Sequence, residues 1–264
     1  MPPFLFHIGR MKKLQIELNP ATSKDVVLEN IASSKQRQTP FIQLQQAHDK
    51  EVFICGNAPS IKSNIDKITG EVWAINGAYD YLIGQGIVAD VHFLWDASEL
   101  LLNYIENKNT KTRYLLASHC SPKLFDALEG YNVEIFHAEI GHDIECKEQP
   151  IFHGGCAGCT RAPFIAYGLG YRKIHILGAD ASYGEQSHIN RDDSEVVDVD
   201  VMDVTLGGKT YKTAAWMAQQ AYELPKIVNA LKGAQLIVYG DGLFPHAAKM
   251  CGVHYEQLNK LGKI

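Results

Sequence analysis

Four short stretches hold the residue types that chemistry needs. The first is Gly56-Asn57-Ala58-Pro59-Ser60, directly after the apolar run Val52–Cys55. Glycine lets a backbone approach a ligand, proline and serine suit a helix start, and a helix start offers free N–H groups to phosphate. The stretch lacks the Gly-Lys-Ser/Thr ending of a Walker A loop and the G-x-G-x-x-G dinucleotide spacing. Its plain alternative is a strand-to-helix turn capped by Ser60. The second stretch, "HGGCAGCTRAPF", places Gly154, Gly155 and Gly158 before a helical segment that Cys159 or Thr160 could cap. It is a second candidate anion site at a helix start, and the strand that follows the helix delivers Asp180. The third, "GADASYGEQSHINRDD", holds Asp180, Tyr183 and His188. An imidazole in a polar loop titrates near neutrality and suits a general base, although His188 is one of eleven histidines and a surface role is the plain alternative. The fourth, "YGDGLFPH", sets Asp241 between two glycines after a strand, to touch a ligand or to make a turn.

Cys156 and Cys159 form one C-x-x-C. With His153 and Cys146 it would make a zinc site, and at a helix start it would make a redox pair. Small side chains lining a glycine loop are the preferred reading, because a single C-x-x-C is weak evidence.

These residues need a scaffold. Apolar runs at Val52–Cys55, Val72–Asn76, Val91–Trp95, Tyr114–Ala117, Val133–Phe136, Lys173–Leu177 and Leu236–Tyr239 read as strands. Helical spacing falls between them at Ile61–Ile68 (capped by Ser60), Ala78–Ile83, Glu99–Ile105, Pro122–Leu128, Arg161–Leu169 and Ala214–Leu231. Such alternation predicts an α/β fold: a Rossmann-like, mostly parallel sheet with helices on both faces. Ligands then bind beyond the carboxyl ends of the strands, which points to Gly56–Ser60, Asn76–Gly77, Asp96, Ser118–His119 and Asp180–Tyr183. Residues 184–213 break the pattern and read as an inserted loop and a β-hairpin turning at Gly207-Gly208. Residues 1–50 read as a polar, helical preamble of two short helices and a loop, and residues 51–264 as one domain.

The chain has 264 residues, 46% hydrophobic and 21% charged, enough for a substantial core. A net charge of −5 argues against general nucleic-acid binding. No apolar run reaches the roughly 18 residues of a membrane span. The start shows no secretory leader, with Met1 and Met11 both open as initiation sites, and the six scattered cysteines fit free thiols in a cytoplasmic protein.

The stretch "ICGNAPSI" resembles the Gly-Asn-Gly-Pro-Ser-Leu turn of the DUF115 family, which includes the MptE-like 6-hydroxymethylpterin diphosphokinases and the motility accessory factors. "TRAPFIAYGLGYRKIHILGADASY" resembles that family's second block, and "SHIN" sits where its members carry Ser/Thr-His. The blocks are matched in order over residues 50 to 190. A fainter likeness in "KTYKTAAWMAQQ" and "GDGLFPH" points to the phage and prophage branch. A similar turn occurs in the sialyltransferases of glycosyltransferase family 42. The resemblance implies a nucleotide or nucleotide-sugar donor held by Gly56, Asn57, Ser60, Asn76, Asp96, Gly154, Gly155, Gly158 and Thr160. His188, Asp180 and Tyr183 are the implied catalytic residues, with His188 as general base in a metal-independent glycosyl transfer to a small-molecule or glycan acceptor. No cofactor is firmly implied. Under the diphosphokinase alternative, ATP would bring Mg²⁺, with Asp180 or Asp96 as its ligand. A non-catalytic phage accessory protein that keeps the nucleotide fold is the third reading, and a homo-oligomer stays open. The sequence departs from the pattern at Ala58, which replaces a glycine, at Tyr183, which stands one place late, and at Cys156 and Cys159, which replace hydroxyl residues.

Overall fold

The computed structural model of the chain describes residues 22–140, 149–184 and 201–256. Nine parallel strands form one sheet in the order β11-β10-β7-β1-β2-β3-β4-β5-β6. In chain order these are β1 (His48–Cys55), β2 (Glu71–Ile75), β3 (Val91–Leu94), β4 (Arg113–Ala117), β5 (Asn132–Ala138), β6 (Ile151–Phe152) and β7 (Tyr171–Leu177). The hairpin β8 (Val201–Leu206) and β9 (Lys209–Ala214) stands outside the sheet, and β10 (Gln235–Tyr239) and β11 (His254–Glu256) complete it. The helices are α1 (Lys24–Lys35), α2 (Ala78–Gly84), α3 (Pro122–Ala127), α4 (Gly158–Gly168), α5 (Ala215–Ala230) and α6 (Leu243–Met250).

Alternate side chains of a strand point to opposite faces, and the core divides accordingly. Val52 and Ile54 of β1, with Trp73 and Ile75 of β2, join the cluster beneath α3, α4, α5 and α6. Phe53, Cys55, Val72 and Ala74 join the other, with Tyr79 and Leu82 of α2. A strand covered on both faces must be apolar throughout, which explains the uninterrupted runs in the sequence. The hairpin turns at Gly207 and Gly208, both with positive φ (55° and 83°), as a tight two-residue turn requires.

Several elements differ from the sequence reading. The segment after β1 is not a helix over Ile61–Ile68. It is two short 3₁₀ turns, Pro59–Ser63 and Ile65–Lys67, whose first cap position is Ala58. Ser60 does not cap it, because its own N–H donates to Asp180 Oδ2 at 3.2 Å. Its carbonyl accepts from Asn64 Nδ2 at 2.7 Å, and a carbonyl so occupied favours a tight turn. Glu99–Tyr104 is likewise 3₁₀, with Ser98 accepting from Leu100 N. The short edge strands β6 and β11 had no signal of their own. Within the preamble the described residues form one helix, α1, capped by Ser23. The chain then runs beside β5, where Ile42 N donates to Ile135 O at 2.9 Å and Ile42 is buried in the core.

Candidate active site

The strand order fixes where a ligand can enter. From β1 the chain moves one way to β2 through β6, then returns to the other side of β1 with β7. The carboxyl ends of β1 and β7 therefore diverge into connections on opposite sides, which opens a crevice. Gly56 and Gly178 end these strands and press on each other. A Cβ on either would collide with the other's carbonyl, and one on Gly56 would also lie 2.5 Å from Cys159 Sγ. Gly56 N donates to Leu177 O at 2.8 Å and Ala58 N to Gly178 O at 3.0 Å. Gly56 is a glycine because its neighbouring strand needs the room.

Asn57, Ala58, Asn76 and Gly77 form one side of the first cleft, a cavity of about 160 Å³. Asn76 has φ 48°, a left-handed conformation that asparagine tolerates, and its carbonyl is bonded to His92 Nε2 at 3.0 Å. The side-chain Oδ1 atoms of Asn57 and Asn76 are buried without a protein partner. Across the cleft stands the start of α4. Gly155 has φ 79°, and a Cβ there would strike the Thr160 carbonyl group; a Cβ on Gly158 would strike Ile75. Thr160 is fully buried; its hydroxyl accepts from Ala157 N and donates to Ala157 O, both at 3.0 Å. It therefore caps the helix from within. Gly158 and Cys159, the first two helical residues, have N–H groups with no intrahelical acceptor, and both residues line the cleft. Trp216 and Gln220 of α5 and Tyr104 close the remaining sides. Burial pushes the thiols of Cys156 and Cys159 up to about 12, opposite to an activated thiolate.

Asp180, Ala181 and Ser182 make a wall after β7. Ala181 is held at φ 51° by bonds on several sides. Its carbonyl accepts from Thr213 Oγ1 at 2.9 Å, Asp180 O accepts from Phe244 N at 3.0 Å, and Tyr183 N donates to Lys212 O at 2.8 Å. Ser182 belongs to both sides of the wall. Beyond it lies a second cleft of about 610 Å³, lined by Ser60, Asp180, Tyr183, Lys209 and Asp241 among others. Burial holds the Asp180 carboxyl above the usual carboxylate range; hydrogen bonds from Ser60 oppose this and the Asp241 charge adds to it.

The candidates thus separate. Asn57, Asn76 and Gly158 line the first cleft, whereas Ser60, Asp180 and Tyr183 line the second. Gly56, Gly154, Gly155 and Thr160 shape the loops behind them. Asp96 is exposed, accepts from Ser98 N at 2.8 Å, and lines neither cleft. His188 and Cys146 lie outside the described residues. Sequence reasoning did not single out Tyr104, Trp216 or Gln220. Trp216 and Gln220 lie in the stretch "KTYKTAAWMAQQ", whose faint likeness was the signal they offered.

The sequence matches the model of the family described as 6-hydroxymethylpterin diphosphokinase MptE-like over residues 26–186. The chain belongs to the MptE-like family. No curated protein matches it. Among solved structures it is similar to the MAf glycosyltransferase from Magnetospirillum magneticum AMB-1, with a TM-score of 0.63 at 17% identity. The similarity covers 91% of this chain and 39% of that one, so this chain spans about two fifths of the larger protein. The shared property is the Rossmann-like fold. The family description names a diphosphokinase, a transferase type of enzyme. Among the described residues no helix is long and apolar enough to cross a membrane.

Proposed function

We propose that this MptE-like chain transfers a glycosyl group from a nucleotide-activated donor to a hydroxyl acceptor, without a metal. The observation that carries the reading is the first cleft. It combines the free N–H groups at the start of α4 with the unpartnered Oδ1 atoms of Asn57 and Asn76 at a strand-order switch. Donor phosphates would rest on the α4 N–H groups, and the amides would bond the nucleoside. In the reaction the acceptor oxygen bonds to the anomeric carbon, the bond from that carbon to the phosphate oxygen breaks, and the phosphate leaves with the electron pair. The N–H dipoles stabilise the charge that builds on it. His188, which follows the second-cleft residue Gly184 in the chain, would take the acceptor proton.

The family description favours a second reading, diphosphoryl transfer from ATP to a pterin-like alcohol. Magnesium is held by one or two carboxylates together with substrate phosphates, and Asp180 and Asp241 at the second cleft fit that requirement. Mg²⁺ would neutralise phosphate charge there. A thermal-shift panel of CMP, CDP, UDP, GDP and ATP, each with and without Mg²⁺, tests both readings. A ligand at a hundred times its Kd stabilises by about 2.7 kcal/mol. A shift with a sugar-carrier nucleotide that ignores Mg²⁺ supports glycosyl transfer. A shift with ATP that needs Mg²⁺ supports the diphosphokinase, and no shift with any nucleotide ends the enzyme reading.

A further inference from the structure

The two clefts differ in chemistry. The described lining of the first contains no lysine or arginine. The second is lined by Lys62, Lys209 and Lys212, which come from the turn after β1 and from strand β9. All three residues are exposed, in a chain whose net charge is −5. Lys209 is fixed by two contacts: its Nζ donates to Asp241 O at 3.2 Å and stands 4.7 Å from the centre of the Tyr211 ring. Asp180 and Asp241 line the same cleft, and the largely buried Asp180 leaves its Oδ1 without a protein partner. Ammonium groups hold an anion, and carboxylates accept hydrogen bonds from hydroxyls. A ligand that satisfies both is a hydroxylated anion.

We propose that the second cleft binds the acceptor, and that the acceptor is a polyhydroxylated anion of the sugar-phosphate or sugar-acid class. The assignment rests on the transferase reading, with the donor in the first cleft across the Asp180–Ser182 wall. The lysines hold the acid group, and Asp180 and Asp241 accept from the hydroxyls. An acceptor so held lies against Ser182, the residue common to both clefts.

The test is calorimetric titration of the full chain with glucose 6-phosphate, glucuronate and glucose at constant ionic strength, because exposed charges are screened by salt. Both anions are expected to bind at least about tenfold more tightly than glucose. In K209M/K212M that advantage falls by about tenfold or more, a loss of about 1.4 kcal/mol. K226M, which removes an exposed charge on α5 away from both clefts, keeps it. The affinity of the nucleotide found in the panel stays unchanged in K209M/K212M. The proposal is overturned if glucose binds as tightly as the anions, or if K209M/K212M retains their affinity. It is also overturned if the nucleotide loses affinity by the same factor, because the lysines then hold donor phosphate. Anion binding that depends on these lysines in a chain that binds no nucleotide would leave the charged cleft standing and end the transferase reading alone.

Discussion

The substitution Gly56→Ala probes the contact on which the first cleft is built. A methyl at Gly56 sits 2.5 Å from Cys159 Sγ and collides with the Gly178 carbonyl. Ordinary contact begins near 3.5 Å, so β1 and β7 must part by about 1 Å. Opening of that size stretches the 2.8 Å bond from Gly56 N to Leu177 O and the 3.0 Å bond from Ala58 N to Gly178 O beyond useful length. Two such bonds contribute about 1 kcal/mol each, and overpacking adds about 1–3 kcal/mol, giving a loss of about 3–5 kcal/mol. In a domain of this size that lowers Tm by about 10 °C. Urea titration with calorimetry reads the loss, and G56A/C159A recovers part of it, since the sulfur is one of the two obstacles. A G56A chain that matches the parent in urea midpoint and m-value would refute the argument, because the strand ends would then be wider apart than the close approach requires.

Three further outcomes are expected. Burial pushes His119 down to about 4 and His92 down to about 3, so the unfolded chain binds more protons between those values and pH 6.5. Their contribution is complete above about pH 6.5 and is lost as the pH falls toward 4; urea midpoints across that window will drop, and H119F will drop less steeply. Thr160→Val removes both bonds to Ala157 and costs about 1–2 kcal/mol in a denaturation assay while nucleotide affinity holds, as expected of a helix cap. His188→Ala lowers turnover by about 10²–10⁴-fold with nucleotide binding intact, measured by single-turnover kinetics beside a thermal shift.

The sheet was legible because its strands are buried on both faces and so show as continuous apolar runs. The Gly207-Gly208 hairpin was legible because its turn demands positive φ. The turn after β1 was misread for a physical reason. Ser60 has the composition of a cap, but its N–H belongs to Asp180, 120 residues away, and tertiary demand displaced local propensity. The room that Gly56 leaves is taken by Gly178 and Cys159, partners that no local spacing shows. Ser60, Asp180, Tyr183 and Asp241 of the second cleft were marked in the sequence, but its lysines were not. Lys62 and the pair Lys209 and Lys212 are far apart in sequence, and no spacing reveals charges that meet only through the fold.

The place of β1 between β2 and β7 also sets a timetable for synthesis. β2 can pair with β1 soon after both leave the ribosome, but β7 begins about 115 residues after β1 ends. At roughly 5–20 residues per second this leaves one edge of β1 without a partner for about 6–23 s. During that interval Phe53 and Ile54, apolar on opposite faces, border an open edge able to recruit other chains. A nascent chain halted before Gly178 would hold most of its strands and neither cleft, so binding competence arrives late in translation and chaperone demand should peak before it.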